Sequence, residues 1–252
     1  MLRLITIPIS HYCEKARWVL ERAGMPYREE RHVQGIHRLA ARRAGGGTTV
    51  PVLVTDEGVI ADSRDILAWV DARTPPERSL FPADASARAE VEHLCARFDD
   101  QLGPRARRLI YVHVLADRRL ALSFNNQGVP RWEDRAIRYG WPLAAGFVRH
   151  ALGISSGVEV EDESAVWREF DFVAELLDDG RPHLCGERFG AGDLTFAAMS
   201  AAVIVPPVYG VPLPQPERLP PATAALVRRA REHPAGRYAL SLFTEHRRAP
   251  VA

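Results

Sequence analysis

The chain has almost no lysine. Lys15 is the only one, so the rest of its 33 basic residues are arginine, and 32 acidic residues bring the formal net charge to +1. Without an excess of either sign there is no whole-molecule field to gather nucleic acid or an anionic membrane surface, and neither is expected as a partner. The arginine bias reads as composition, because Arg105, Arg107, Arg108, Arg228, Arg229 and Arg231 fall in segments patterned as solvated helix faces. Cysteine is scarce as well. Cys13, Cys95 and Cys185 are odd in number and irregular in spacing, which points to neither a disulfide framework nor a zinc site, so no metal is expected. Long apolar runs are missing: the longest, Leu194 to Val205, is too short for a bilayer and stops at Pro206-Pro207, and it reads as a buried core helix. The first residues carry no basic region, long apolar stretch or cleavage site, which makes a reducing cytoplasm the expected location.

What the chain does have is a strong opening. Leu2 to Ile7 is apolar and β-branched, a strand pattern. Ala16, Val19, Leu20 and Ala23 then share one helical face, and Gly24 stands where a helix ends. Between them, Pro8-Ile9-Ser10-His11-Tyr12-Cys13 makes a tight loop into a helix N-terminus. Unpaired N–H groups and the positive end of the helix dipole favour an anion there, and a thiol placed there ionises more easily. Read alone, Ser10 is an N-cap, a role compatible with binding.

Further on, Tyr27 to Val33 is a polar strand suited to a sheet edge, and Ile36 to Ala44 reads as a short helix ended by Gly45-Gly46-Gly47. No Gly-Lys-Ser/Thr follows the glycines, so they read as a flexible connection and not as a phosphate loop. Thr49 to Val54 and Gly58 to Ile60 pattern as two short strands joined at Asp56-Glu57-Gly58. Arg64 to Asp71 follows as a helix with Ile66, Leu67 and Val70 on one face. Thr74 to Pro82 is a proline-rich linker and the best domain boundary, after which nearly everything reads as helix.

In that helical part, Val91, Leu94, Cys95, Phe98 and Leu102 pattern Ala85 to Leu102. Gly103-Pro104 is expected to break or kink the chain before Ala106 to Ala116. Ala121 to Arg131 reads as a loop, Trp132 to Tyr139 and Pro142 to Leu152 as short helices, and the acidic Glu159 to Glu163 as a lead into a helix over Ser164 to Asp178. Two helices, Pro220 to His233 and Ala235 to Arg247, close the chain. Gly153-Ile154-Ser155-Ser156-Gly157 fits the spacing of a serine-hydrolase elbow, but that motif needs a strand before it, and a helix stands there.

Ser10-His11-Tyr12-Cys13-Glu14-Lys15-Ala16-Arg17-Trp18 resembles the first loop and helix of the glutathione S-transferase family, in the branch with serine or cysteine at this turn. It is also similar to the redox Cys-x-x-Cys of glutaredoxins, with Ser10 in place of the first cysteine. The strand-helix order, Val50-Pro51 at a strand start and the stretch Leu184 to Ala198 around Asp193 extend the likeness to both halves of the chain, and Ala121 to Gly157 resembles the family least.

The resemblance implies an α/β thioredoxin-like domain over residues 1–75 with a four-stranded mixed sheet and a cis bond before Pro51. An all-helical domain over 85–252 forms the pocket for a hydrophobic electrophile. It further implies that glutathione is the co-substrate and that the chain is a homodimeric, detoxifying transferase whose third helix and the helix from Ala85 meet their mates. Ser10 becomes the thiolate's hydrogen-bond donor, with Cys13 and Tyr12 as alternatives. Val50 and Pro51 pair with the peptide, Ser63 holds the γ-glutamyl carboxylate, Asp62 the α-amino group, and His37, Arg38 or Arg42 the glycyl carboxylate. Asp193 is assigned to folding. A non-catalytic glutathione-binding or regulatory module, and a glutathione-dependent thiol-transferase or isomerase, remain open alternatives.

Overall fold

The computed structural model describes residues 1–247. Strand β1 (Leu2–Thr6) leads into helix α1 (His11–Ala23), followed by β2 (Tyr27–Arg31), α2 (His37–Arg43), β3 (Val52–Val54), β4 (Val59–Ile60) and α3 (Ser63–Asp71). The sheet runs β2-β1-β3-β4, with β2 parallel to β1 from Leu2↔Tyr27 to Thr6↔Arg31 and both other pairings antiparallel. Side chains alternate across it as the strand period requires. Leu4 and Leu53 join the large core with α1 and α3, while Ile5 and Val52 meet Ala41 of α2 on the opposite face.

Two strands are shorter than their sequence patterns. β2 ends at Arg31 because the next free donor, Val33 N, is taken by the Glu133 carboxylate at 3.0 Å. β3 begins only after Pro51, whose bond to Val50 is cis, so Thr48 to Val50 are left outside the ladder.

The remainder is helical: α4 (Ala85–Arg97), α5 (Gly103–Val114), α6 (Arg118–Asn125), α7 (Arg131–Tyr139), α8 (Trp141–Ala151), α9 (Val158–Leu176), α10 (Ala191–Ile204), α11 (Pro221–Glu232) and α12 (Pro234–His246). Four sequence readings are corrected here. Gly103-Pro104 does not break the chain. A π turn over Phe98–Leu102 carries α4 into α5, and Pro104 sits in the first turn of α5, where its missing N–H costs nothing. Gly103 is there for contact, since a Cβ would lie 2.6 Å from the Tyr12 hydroxyl. The expected loop from Ala121 is instead α6, capped by Asp117, with Ala121, Leu122 and Phe124 buried; only Asn126 to Pro130 is irregular. The acidic stretch Glu159 to Glu163 lies inside α9, where the first turn favours carboxylates, and Asp162 takes both Arg108 Nε and Nη2 at 2.6 Å. Arg108 is therefore an interhelical partner and not part of a solvated face.

Helix α10 is the apolar axis of this half. Its Asp193 accepts from Gly190 N at 2.7 Å, Leu184 N at 2.8 Å and the Tyr238 hydroxyl at 2.5 Å, which is how Gly190, with no side chain, suffices as N-cap.

Helix α1 is held from both sides, packing against α3 and α10 with Trp18 between Phe189 and Phe243. Its polar residues reach far along the chain. Lys15 Nζ lies 2.7 Å from both Asp99 carboxylate oxygens, Arg17 meets Glu29 at 2.7 Å, Glu14 accepts from Gly210 N and Arg247, and Trp18 Nε1 donates to His246 O at 3.1 Å. The N-terminus of α1 is thereby fixed against the helical half. Among the described residues no helix is long and apolar enough to cross a membrane.

Candidate functional site

At that N-terminus lies a cavity of about 310 Å³. Ile9, Ser10 and His11 form one wall, Thr48 to Val50 with His37 and Arg38 a second, and Arg107, Ile110 and Tyr111 of α5 a third. Phe147 and Val148 of α8, with Leu213 and Pro214, complete it. The volume is at the lower end of the range for small-molecule sites, about 300 to 1,000 Å³, and the walls are mainly apolar.

Ser10 is extended (φ −67°, ψ 122°), and its Oγ accepts from Cys13 N at 3.4 Å, a long cap bond that leaves the hydroxyl proton uncommitted. Val50, next to the cis bond, lines the second wall, while Pro51 is buried behind it.

Residues 4–78 match the family described as Glutathione S-transferase, N-terminal domain. The chain thus carries a glutathione S-transferase N-terminal domain. Comparison with curated protein sequences returns no match. Among solved structures the fold is similar over nearly the whole length to a glutathione S-transferase from Sinorhizobium meliloti 1021, at 19% identity, covering 96% of this chain and 92% of that one with a TM-score of 0.60. It is also similar to a glutathione S-transferase from Methylobacillus flagellatus KT with glutathione bound, at 18% identity with both chains fully covered and a TM-score of 0.57. A theta class glutathione S-transferase from Xanthomonas axonopodis pv. citri, again with glutathione bound, gives 18% identity, 95% and 96% coverage and a TM-score of 0.54. At such identities these likenesses are of fold: a four-stranded mixed sheet with helices, followed by a helical half, in the glutathione S-transferase arrangement.

Within this glutathione S-transferase fold, the residues singled out from the sequence divide into three groups. Ser10, Val50 and His37 line the cavity. His37 is held neutral, its pKa lowered to about 4 by burial, and its Nδ1 accepts from Gly35 N at 3.1 Å, so its proton is on Nε2. The cation at this wall is the exposed Arg38, stacked on the Phe147 ring at 4.9 Å.

Asp62 and Ser63 stand apart from the cavity, at the N-terminus of α3. Asp62 is the exposed N-cap, accepting from Arg64 N at 2.7 Å, and Ser63 is buried at the first helical position. Cys13 and Tyr12 face away from it. Cys13 is fully buried and burial pushes its thiol up to about 11, which is the opposite of activation by the helix end. Tyr12 donates to Asp99 O at 2.8 Å, and burial raises its pKa.

The structure adds residues that the sequence reading passed over. His11 is 3% exposed and lines the cavity; burial first, then the charges of Arg107 and Lys15, lower its pKa well below the usual histidine range. Arg107, read from the sequence as a solvated helix face, also lines the cavity, as does Tyr111. The signal that could have found them is spacing: Gly103, Arg107 and Tyr111 recur every four residues and so share one face of α5. Among the described residues no group of three or more His, Cys, Asp or Glu is arranged to hold a metal ion.

Proposed function

We propose that the protein is a glutathione transferase: it binds glutathione along residues 48–50 of the cavity wall and on to the N-terminus of α3 outside the cavity, and transfers the thiolate to an apolar electrophile in the cavity. The observation that carries this reading is Ser10, whose hydroxyl caps α1 at the wall of a mainly apolar cavity, in a domain of the glutathione S-transferase family. The backbone of Val50 pairs with the cysteinyl residue. Ser63 and the N–H groups of α3 take the γ-glutamyl carboxylate, and the exposed Asp62 takes the α-amino group. Arg38 supplies the charge for the glycyl carboxylate, with His37 as a neutral donor from Nε2. Ser10 donates to the sulfur, and the helix dipole adds to it, so the thiol ionises more readily. The thiolate then bonds the electrophilic carbon, and the leaving group departs with its electron pair.

With this goes a division of labour between residues 1–75, holding glutathione, and residues 85–252, holding the electrophile. Reducing, cytoplasmic surroundings suit a glutathione thiol and three unpaired cysteines. A homodimer through α3 and α4 belongs to the same reading, and a single sedimenting species of about 28 kDa at micromolar concentration would remove it.

The test is retention on immobilised glutathione, followed by thioether formation with a panel of apolar electrophiles. Retention without turnover across the panel would favour a binding module. Ser10→Ala is expected to raise the pKa of bound glutathione, read from thiolate absorbance against pH, while its affinity stays nearly intact; an unshifted titration would sink the serine mechanism. Thiol transfer through Cys13 would show as a mixed disulfide lost in Cys13→Ala, and its burial argues against that outcome. Ser10→Cys rebuilds a Cys-x-x-Cys at the helix N-terminus and is expected to gain thiol transfer.

A further inference from the structure

One wall of the cavity is charged and lacks a partner. Arg107 and Tyr111 sit one turn apart on α5 and both face the cavity. The Arg107 guanidinium carbon is 5.7 Å from the centre of the Tyr12 ring, its Nε is buried without a hydrogen-bond partner, and no carboxylate of the described residues lies within ion-pair distance of it. Several other arginines have a carboxylate partner: Arg17 with Glu29, Arg64 with Asp99, Arg97 with Glu169 and Arg108 with Asp162. The Tyr111 hydroxyl accepts from Gln34 Nε2 at 2.7 Å, and its own proton is free for an acceptor in the cavity. His11, buried beside them, has an Nε2 with no partner. A cation, a hydroxyl donor and an imidazole edge converge on one side of a mainly apolar cavity whose other cation, Arg38, is exposed on the second wall, and an unmatched charge in such a place is costly unless a ligand supplies the counter-charge.

We propose that the second substrate is an apolar electrophile bearing a carboxylate, and that Arg107 and Tyr111 seat that carboxylate while its body packs on Ile110, Val114, Phe124 and Leu213. As a statement about turnover this rests on the transferase reading; as a statement about binding it does not. Arg107 is then a specificity residue of the site. Its planar fork suits a carboxylate, and the cavity is large enough for a one-ring molecule.

The test compares 4-chloro-3-nitrobenzoate with 4-chloro-3-nitrobenzamide. In each the glutathione sulfur bonds the ring carbon that carries chlorine, and chloride leaves. After correction for the uncatalysed rates, kcat/KM for the benzoate is expected to exceed that for the benzamide by tenfold or more. Arg107→Met is expected to reduce that ratio by at least tenfold, and Tyr111→Phe to reduce it several-fold. Arg105→Met removes the same charge from the same helix, at a residue that donates to the carbonyls of Asp100 and Gln101, and is expected to keep the ratio. Arg107→Gln repeats the measurement if the methionine variant folds poorly.

A second arm needs no glutathione: calorimetric binding of 3-nitrobenzoate against 3-nitrobenzamide, in the native protein and in the Arg107 variants. A carboxylate preference that depends on Arg107 supports the inference even if glutathione neither binds nor reacts. Equal use of the two electrophiles by the native protein overturns it while leaving the transferase reading standing. An Arg107→Met variant that slows both electrophiles equally and raises the pKa of bound glutathione also overturns it, because the arginine would then serve the thiolate.

Discussion

The chain's single lysine can be tested on its own. Lys15 is fully buried, its Nζ lies 2.7 Å from both oxygens of Asp99, and Asp99 is only 6% exposed. Lys15→Met would leave that carboxylate in place with one remaining cation, Arg64, at 3.2 Å on a side chain that is 43% exposed. Removing one partner of a buried pair typically costs ~3–5 kcal/mol, and the Arg64 contact offsets part of it, so a loss of ~3 kcal/mol is expected. Replacing both partners by apolar groups leaves no uncompensated charge, and Lys15→Met with Asp99→Leu is expected to cost ~1 kcal/mol or less.

Urea denaturation followed by tryptophan fluorescence measures both. The reasoning is refuted if the single variant loses less than ~1 kcal/mol, or if the double variant is no better than the single. The same burial gives a chemical assay. An amine-reactive ester is expected to add one label to the native protein, at the exposed N-terminus, and a second, at Lys15, only after unfolding. Rapid labelling of Lys15 in the native protein would contradict the fold at this point.

Three further outcomes follow from the geometry. His37 binds protons less tightly folded than unfolded, so between about pH 6.5 and 4 the unfolded chain holds more protons and stability rises with pH; His11 acts in the same direction. At about 1.4 kcal/mol per tenfold change in proton affinity, His37 alone accounts for a loss of up to ~2 kcal/mol from pH 7 to pH 5, and an unchanged urea midpoint over that range would remove the claim. Asp193→Ala strands the Leu184 and Gly190 N–H groups and the Tyr238 hydroxyl, for a loss of at least ~3 kcal/mol by chemical denaturation, with Asp193→Asn less harmful. Ser63→Ala is expected to weaken glutathione binding by ~1.5–3 kcal/mol, roughly ten- to a hundredfold by calorimetry, and an unchanged dissociation constant would move the carboxylate elsewhere.

The sequence by itself determined whatever rests on neighbours a few residues apart. Ser10 as the cap of α1, Gly24 at its end (φ +70°), the edge position of β2 and the apolar α10 are short-range consequences of hydrogen-bond supply and side-chain period, and each appears where its pattern lies. Ser10, Val50 and His37 are singled out together by the family resemblance and not by local pattern, and they line one cavity once β1, α2 and β3 pack together. Other features were decided only in the tertiary structure. Arg105 and Arg107 are two positions apart and equally charged, yet one donates to the carbonyls of the preceding turn and the other faces the cavity. Which of them turns inward depends on how α5 packs on α9 and α10, with Gly103 set against Tyr12. The helices over Arg118–Asn125 and the first turns of α9 exist because their apolar and acidic sides find partners from distant elements. Nothing near Lys15 in the sequence supplies its counter-ion, which is 84 residues away. A local pattern reports which face of an element is apolar, but the partner of a charge comes from another part of the chain, and only the packed fold brings the two within reach.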